Sequence, residues 1–167
     1  DLSNKITLVT GSTKGIGKAI AEAFIDKKAR VVIHGRSRAE LENVKESIGA
    51  FAWVDGDLGT AEGCDGVLEQ LAALGPVEVL VNNAGIFGVE EFFNIDDQEW
   101  LRYFQVNVMS VVRLCRALMP SMLEHDYGRI INVSSEAAIK PLPKMIHYSM
   151  TKTSIVSLSR GMAELSK

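Results

Sequence analysis

Ile6-Thr7-Leu8-Val9-Thr10-Gly11-Ser12-Thr13-Lys14-Gly15-Ile16-Gly17 is the stretch that decides the fold. A β-branched, apolar run breaks into a glycine turn. The turn opens onto Ile16, Ile20, Ala23 and Phe24, which keep a 3.6-residue period over a helix predicted at 16–28. Strand, glycine turn and helix in that order suit a phosphate group. Gly11 permits the tight turn, Gly15 lets the backbone approach a pyrophosphate, and Gly17 lets the helix pack close to the sheet. The first N–H groups of the helix and the positive end of its dipole then face the anion. Gly11, Ser12, Thr13, Lys14, Gly15, Ile16 and Gly17 are accordingly expected to contact a dinucleotide. The competing reading, glycines kept for packing alone, gives no reason for the motif to sit between a strand and a helix start.

The pattern repeats outward from this unit. Strand-like runs are predicted at 30–34, 51–54, 77–81 and 129–133, and helical periods at 39–48, 61–74, 97–123 and from Ile146 onward. The run at 77–81 has no polar alternation beyond Glu78, as a strand buried on both faces requires. Strict β/α alternation implies a Rossmann-like, doubly wound parallel sheet in three α/β/α layers, with right-handed crossovers. No repeat or linker interrupts it, so residues 1–167 read as one domain.

With 167 residues, 47% of them hydrophobic, the chain is long enough for a sizeable core. A net charge of −3 gives no electrostatic reason to expect nucleic acid or an anionic membrane as partner. No uninterrupted apolar run approaches the roughly 20 residues of a membrane span, and no secretory signal is visible. Cys64 and Cys115 stand far apart and in no ligand spacing. They read as reduced thiols of a cytoplasmic protein, and no metal site is expected. The segment 163–167 is still helical in pattern and carries no stop signal, so the sequence is expected to belong to a longer chain.

Further site residues follow from their places at strand ends. After the second strand comes Ile33-His34-Gly35-Arg36-Ser37-Arg38, without the carboxylate that would accept from a ribose 2′-hydroxyl. Arg36, joined by Lys14, suits a 2′-phosphate, which points to NADP(H) ahead of NAD(H); solvated loop charge is the alternative for Arg36 and Arg38. Asp57 and Leu58 close the third strand, where Asp57 either meets the adenine or serves as a turn residue beside a Thr60 helix cap. Asn82-Asn83-Ala84-Gly85 ends the fourth strand, and the small size of Ala84 and Gly85 beside Asn83 leaves room for a ring-sized ligand. Tyr148 and Lys152, at i and i+4, share a helix face. A phenol in water titrates near pH 10, and an adjacent ammonium favours phenolate, which suits Tyr148 to exchange a proton with a carbonyl oxygen. Ser135 suits a hydrogen bond to that same oxygen. Alternation turns Ser134 the other way. A serine-hydrolase reading fails for want of a Gly-x-Ser-x-Gly elbow, and His147 reads as a helix-start or interface residue.

Taken in order, Thr10 to Gly17, Asp57, Asn82 to Gly85, Asn107, Ser134-Ser135, Tyr148 and Lys152 make the sequence similar to the short-chain dehydrogenase/reductase family, in the subgroup with Thr-Gly-x-x-x-Gly-x-Gly and Tyr-x-x-x-Lys. The resemblance implies an NAD(P)(H)-dependent oxidoreductase acting on an alcohol or carbonyl substrate, β-ketoacyl reductases among its relatives. It implies that Tyr148 and Lys152 also touch the cofactor, and that Asn107 supports a water relay to Lys152 from a local break in its helix. It further implies two last strands and a substrate loop that this sequence lacks. Pairing of the helices carrying Leu101, Phe104, Val108, Val112 and Ile155, Leu158, Met162 into a homodimer or homotetramer is implied as well, against ordinary packing on the chain's own sheet. Ala138 stands where the family commonly has glycine, which matters only if the backbone there needs positive φ. Phe87, Phe92 and Phe93 are candidates for the substrate entrance, and Glu136, Lys140 and Lys144 read as loop charge. The rival reading is a catalytically silent nucleotide-binding or scaffolding module of the same fold.

Overall fold

The computed structural model describes residues 1–166. Five strands, β1 (Ile6–Val9), β2 (Arg30–Gly35), β3 (Ala52–Asp55), β4 (Val79–Asn82) and β5 (Arg129–Asn132), form one sheet in the order β3-β2-β1-β4-β5. Every pairing is parallel. The helices are α1 (Gly15–Asp26), α2 (Arg38–Ile48), α3 (Ala61–Ala72), α4 (Asp97–Phe104), α5 (Ser110–Glu124) and α6 (Ile146–Ala163). This is the doubly wound architecture that the alternation predicts.

Small boundary differences have local causes. The first helix stops at Asp26 rather than reaching Lys28, because Lys28 has φ +63°, left-handed backbone that cannot continue a helix. The fourth strand pairs only from Val79; before it, the Glu78 carboxylate accepts from Ile6 N–H (3.1 Å) and from Lys5 Nζ (2.7 Å). Ser37, Thr60 and Asp96 each cap a helix, accepting from the N–H of Glu40, Gly63 and Glu99.

Side chains of successive strand residues leave on opposite faces, and on β1, β2 and β4 both faces are covered, whereas Ile131 of the edge strand β5 is 45% exposed. Val9, Val31, Ile33, Val79 and Val81 pack with Ala21 of α1 and Leu41 of α2. Leu8, Val32, Val54 and Leu80 pack with Val67 and Leu71 of α3, Leu114 of α5 and Ile155 of α6.

The predicted long helix is one rod with a flaw in it: Gln105–Met109 forms a π-turn between α4 and α5. The whole segment Asp97–Glu124 is long and apolar enough to cross a membrane by length and composition. Its Val108, Val111, Leu114, Cys115 and Met122 are packed in the core behind β4. Val108 and Ile155 thus serve the chain's own core, whereas Leu101 stays 61% exposed.

Leu80 sits in β4 between β1 and β5 with no exposed surface. Leu80→Ala should cost about 2–5 kcal/mol through lost burial and the cavity left behind. Urea unfolding should show a lower midpoint with an unchanged slope; an unmoved midpoint would contradict this placement of the core.

Candidate active site

The strand order reverses direction between β1 and β4, and the carboxyl ends of these two strands are tied together there. The Thr10 hydroxyl accepts from the N–H groups of Asn83 and Ala84, both at 2.9 Å, and donates to Val81 O at 3.3 Å. In return the Asn83 side-chain amide donates to the carbonyls of Thr10 and Gly11, both at 3.0 Å. Gly11 has φ +61°, and a Cβ on it would lie 2.9 Å from Ala84 Cα. A Cβ on Gly17 would collide with the Gly11 carbonyl and the Asn83 amide. Gly15 also has positive φ, +56°, but a Cβ there would meet nothing within 4 Å. Two of the glycines therefore seat α1 against the sheet, and the third leaves its surroundings open.

Next to this junction lies a cleft of about 610 Å³, lined by Gly11, Thr13, Lys14, Arg36, Asp57, Leu58, Asn83, Ala84 and Gly85 among others. The start of α1, beside it, differs from the starts of α2, α3 and α4. Its N-cap is Lys14, no side chain caps it, and its first turn holds no acidic residue. Helix N–H groups left in that state are donors for an anion. Arg38 is committed to Asp55 (3.0 Å), while Arg36 lines the cleft and makes no ion pair among the described residues. The donor set and the glycine-lined approach fit a phosphorylated nucleotide.

Some predicted contacts sit elsewhere. Ser12 is fully buried; its hydroxyl donates to Val9 O (2.7 Å) and accepts from His34 N–H (2.9 Å), bracing the turn from beneath. The Ile16 side chain is 69% exposed and outside the cleft lining, and Gly17 acts through packing. Asp57 accepts from Gly59 N–H (2.9 Å) while Thr60 caps α3, so the turn role is occupied even though Asp57 also faces the cleft.

Gly85, in the cleft wall, is the neighbour of Lys152, which is not itself among the lining residues. A Cβ on Gly85 would stand 3.7 Å from Lys152 Nζ and 3.2 Å from Asn107 Oδ1. Lys152 is buried, its Nζ donates to Val133 O at the end of β5 (2.9 Å), and it lies 5.7 Å from the Tyr148 ring centroid. Burial pushes its ammonium below the ordinary 10.5. Ser134 does turn away from Ser135: its hydroxyl donates to Lys152 O (3.1 Å). Ser135 opens a short 3₁₀ turn, accepting from Ala137 N–H (3.2 Å), and that turn is tied to α6 by Thr153, which donates to Ala138 O (2.9 Å). Ala138 has no positive φ, so alanine costs nothing there.

Asn107 lies buried in the π-turn. Its Oδ1 accepts from Ile86 N–H (2.8 Å), and its Nδ2 donates to Ile86 O (2.9 Å) and Thr151 Oγ1 (3.0 Å). Thr151 in turn donates to Tyr148 O (2.7 Å). The break in the helix thus presents Asn107 to the segment after β4 and to α6 together. Phe87 meets Tyr148 edge-on at 6.4 Å, and Lys144 pairs with Glu91 (3.0 Å) at the surface.

His147 starts α6 but is no surface interface residue. It is 1% exposed, its ring 4.0 Å from that of Tyr103 and 6.0 Å from that of Trp100. Cys115 is equally interior, and burial pushes its thiol up to about 11. Two residues escape a reading by sequence: Thr10, buried behind the cleft as a cross-strand lock, and His34 in its lining, whose place among Val31, Val32 and Ile33 signals only core.

A protein-family model described as short chain dehydrogenase matches residues 5–167. The chain is 46% identical to an uncharacterized oxidoreductase, YvrD, of Bacillus subtilis (strain 168), covering 99% of this chain and 64% of that protein. It is 36% identical to the 3-oxoacyl-[acyl-carrier-protein] reductase FabG of Haemophilus influenzae, covering 98% and 68%. Among solved structures, L-sorbose reductase from Gluconobacter frateurii complexed with NADPH and L-sorbose superposes with a TM-score of 0.92 at 36% identity, covering 98% and 64%. The chain therefore spans about two thirds of the length of these relatives.

The glycine geometry makes a paired prediction. Gly17→Ala forces a methyl against rigid backbone and should cost about 1–3 kcal/mol. Gly66→Ala, inside α3 with nothing within 4 Å of the new methyl, should gain about 0.5–1 kcal/mol. Chemical denaturation of the two variants should move in opposite directions, and a Gly17→Ala protein as stable as the parent would refute the packing described.

Proposed function

We propose that this chain, which belongs to the short chain dehydrogenase family, carries the cofactor-binding and proton-transfer machinery of an NADP(H)-preferring oxidoreductase that interconverts an alcohol and a carbonyl compound. The observation that carries this reading is the continuity of the site. The cleft whose wall includes glycines, Lys14 and Arg36 reaches Gly85, Gly85 stands beside Lys152, and the Lys152 ammonium lies over the Tyr148 ring at 5.7 Å from its centroid.

A nicotinamide dinucleotide, when bound, supplies or accepts the hydride. The chain's own residues handle the rest. Unpaired N–H groups at the start of α1 bind phosphate, and Arg36 with Lys14 recognises a 2′-phosphate, in keeping with the NADPH bound to the sorbose reductase. Tyr148 gives its hydroxyl proton to the carbonyl oxygen in reduction and takes it back in oxidation. Ser135 holds the same oxygen by a hydrogen bond. Lys152, a buried ammonium that donates to the Val133 carbonyl, is stabilised by negative charge developing on the phenol beside it. Asn107 fixes the Ile86 backbone on one side and Thr151 on the other, so that the walls around Lys152 keep their separation. Substrates are small carbonyl compounds of the kind that the 3-oxoacyl and sorbose reductases are named for. Exposed Leu101 and Val156 support pairing of two copies through α4 and α6.

Tyr148→Phe should lower turnover by about 10²–10⁴ while leaving nucleotide affinity within a few-fold. Turnover can be followed by NADPH absorbance over a panel of ketones, sugars and acyl thioesters, and a variant running at the parental rate excludes Tyr148 as the acid/base. Arg36→Asp should reduce the preference for NADPH over NADH by about tenfold or more. An unchanged ratio of the two kcat/KM values removes Arg36 from cofactor choice.

A further inference from the structure

His34 is a buried titratable group to which the reading above gives no part. It lies near the end of β2 with 4% of its surface exposed, and each of its polar atoms is engaged. Its main-chain N–H donates to Ser12 Oγ (2.9 Å), and its carbonyl accepts from Ser12 N–H (3.0 Å). On the ring, Nδ1 lies 3.1 Å from Gly11 N, and Nε2 lies 3.1 Å from Gly56 O. A backbone N–H can only donate and a carbonyl can only accept. The two partners therefore fix a neutral ring with its hydrogen on Nε2. Gly11 belongs to the glycine turn and Gly56 to the loop after β3, and both line the cleft. One imidazole thus spans two walls of the site. The peptide groups around Gly11 are held from both sides, the N–H by His34 and the carbonyl by Asn83.

We propose that His34 is a positioning residue of the dinucleotide cleft, a neutral imidazole that clamps the glycine turn to the loop after β3 and so sets the spacing of the walls that receive the nucleotide. This role rests on reading the cleft as a nucleotide site. It goes beyond the phosphate-binding and proton-transfer residues because His34 acts through Gly11 and Gly56.

Protonation breaks the clamp. An imidazolium carries hydrogen on Nδ1, so a donor would face the Gly11 N–H across 3.1 Å. The charged groups facing the ring are Asp55 and Asp57 from the β3 side, which favour the cation, and Arg36 just after β2, which opposes it. Burial outweighs them and lowers the pKa below the ordinary 6.5. The sign follows: below about pH 6.5 an unfolded chain takes up a proton that the folded ring refuses. The clamp's contribution is then complete above that range and declines as pH falls through it.

The test uses His34→Leu, which fills space without hydrogen bonds, and His34→Asn, which keeps a short acceptor for the Gly11 N–H. At pH 7.5, equilibrium NADPH binding by fluorescence should weaken about tenfold or more in the leucine variant and stay within about threefold in the asparagine variant. At saturating NADPH, kcat should stay within about threefold for both, so the loss falls on binding. Without nucleotide, the His34 proton resonance should titrate below pH 6.5. The parent's NADPH affinity should decline over the same range, while the asparagine variant stays flat. A folded leucine variant that binds like the parent, or a His34 that titrates at or above the ordinary value, overturns the clamp. Should the leucine variant not fold, the asparagine pH profile and the nucleotide-free titration decide alone. A parent that binds neither NADPH nor NADH sinks the functional reading itself, a result distinct from variants with unchanged affinity.

Discussion

The exchange of hydrogen bonds between Thr10 and Asn83 is the interaction on which the site depends. Helices that follow neighbouring parallel strands normally cover the strand ends, but at the reversal of strand order the chain leaves β1 and β4 in opposite directions, and a crevice opens between them. An open crevice exposes backbone groups that the sheet no longer pairs. Thr10 and Asn83 satisfy them with side chains: one hydroxyl takes two N–H groups, and one amide gives to two carbonyls. With those groups paired, the glycine turn can stay bare of side chains, and bareness is what a ligand's phosphates require.

At the other end, Lys152 is buried, and among the described residues a carbonyl is its one hydrogen-bond partner and no carboxylate pairs with it. An uncompensated buried ammonium is costly, which is why its pKa falls. Such a group is poised to be stabilised by any negative charge that forms nearby, and the Tyr148 phenol, its ring centroid 5.7 Å away, is able to supply one. The surrounding scaffold is rigid for the same reason. Asn107 in its π-turn, Thr151, Ser134 and Val133 hold the lysine's helix and tip through bonds in the interior, where a misplacement of even one partner would leave a polar atom unsatisfied.

Much of this was legible in the residues because it rests on periodicity and on backbone need. Alternating apolar runs and 3.6-residue periods reveal the doubly wound sheet. Gly11 and Gly17 announce positions where a Cβ does not fit, and an i, i+4 pair such as Tyr148 and Lys152 shares a face in any helix. The uncertain cases are polar residues whose role depends on a partner distant in sequence. Ser12 stands in the glycine motif yet faces the core, because its hydroxyl finds Val9 and His34. His34 and His147 both look like passengers in apolar surroundings. Only the approach of Gly11 and Gly56 to one, and of Tyr103 and Trp100 to the other, separates a bridge across the cleft from a packed core ring.

Reaction class and substrate choice are written into different parts of the chain. The groups proposed to bind nucleotide and to move a proton stand at strand ends and on α6, fixed by main-chain bonds and buried amides. The exposed loops are of another kind. Phe87, Phe93 and Ile139 are 77%, 95% and 90% exposed, on segments joined by surface contacts such as Glu90 N–H to Lys144 O (2.9 Å). Substitution there perturbs no core and breaks no buried hydrogen bond. A fold built this way can change what it acts on, through loops, while the strand ends conserve how it acts. The likeness of one scaffold to both a 3-oxoacyl reductase and a sorbose reductase, at similar identity to each, is what that division of labour produces.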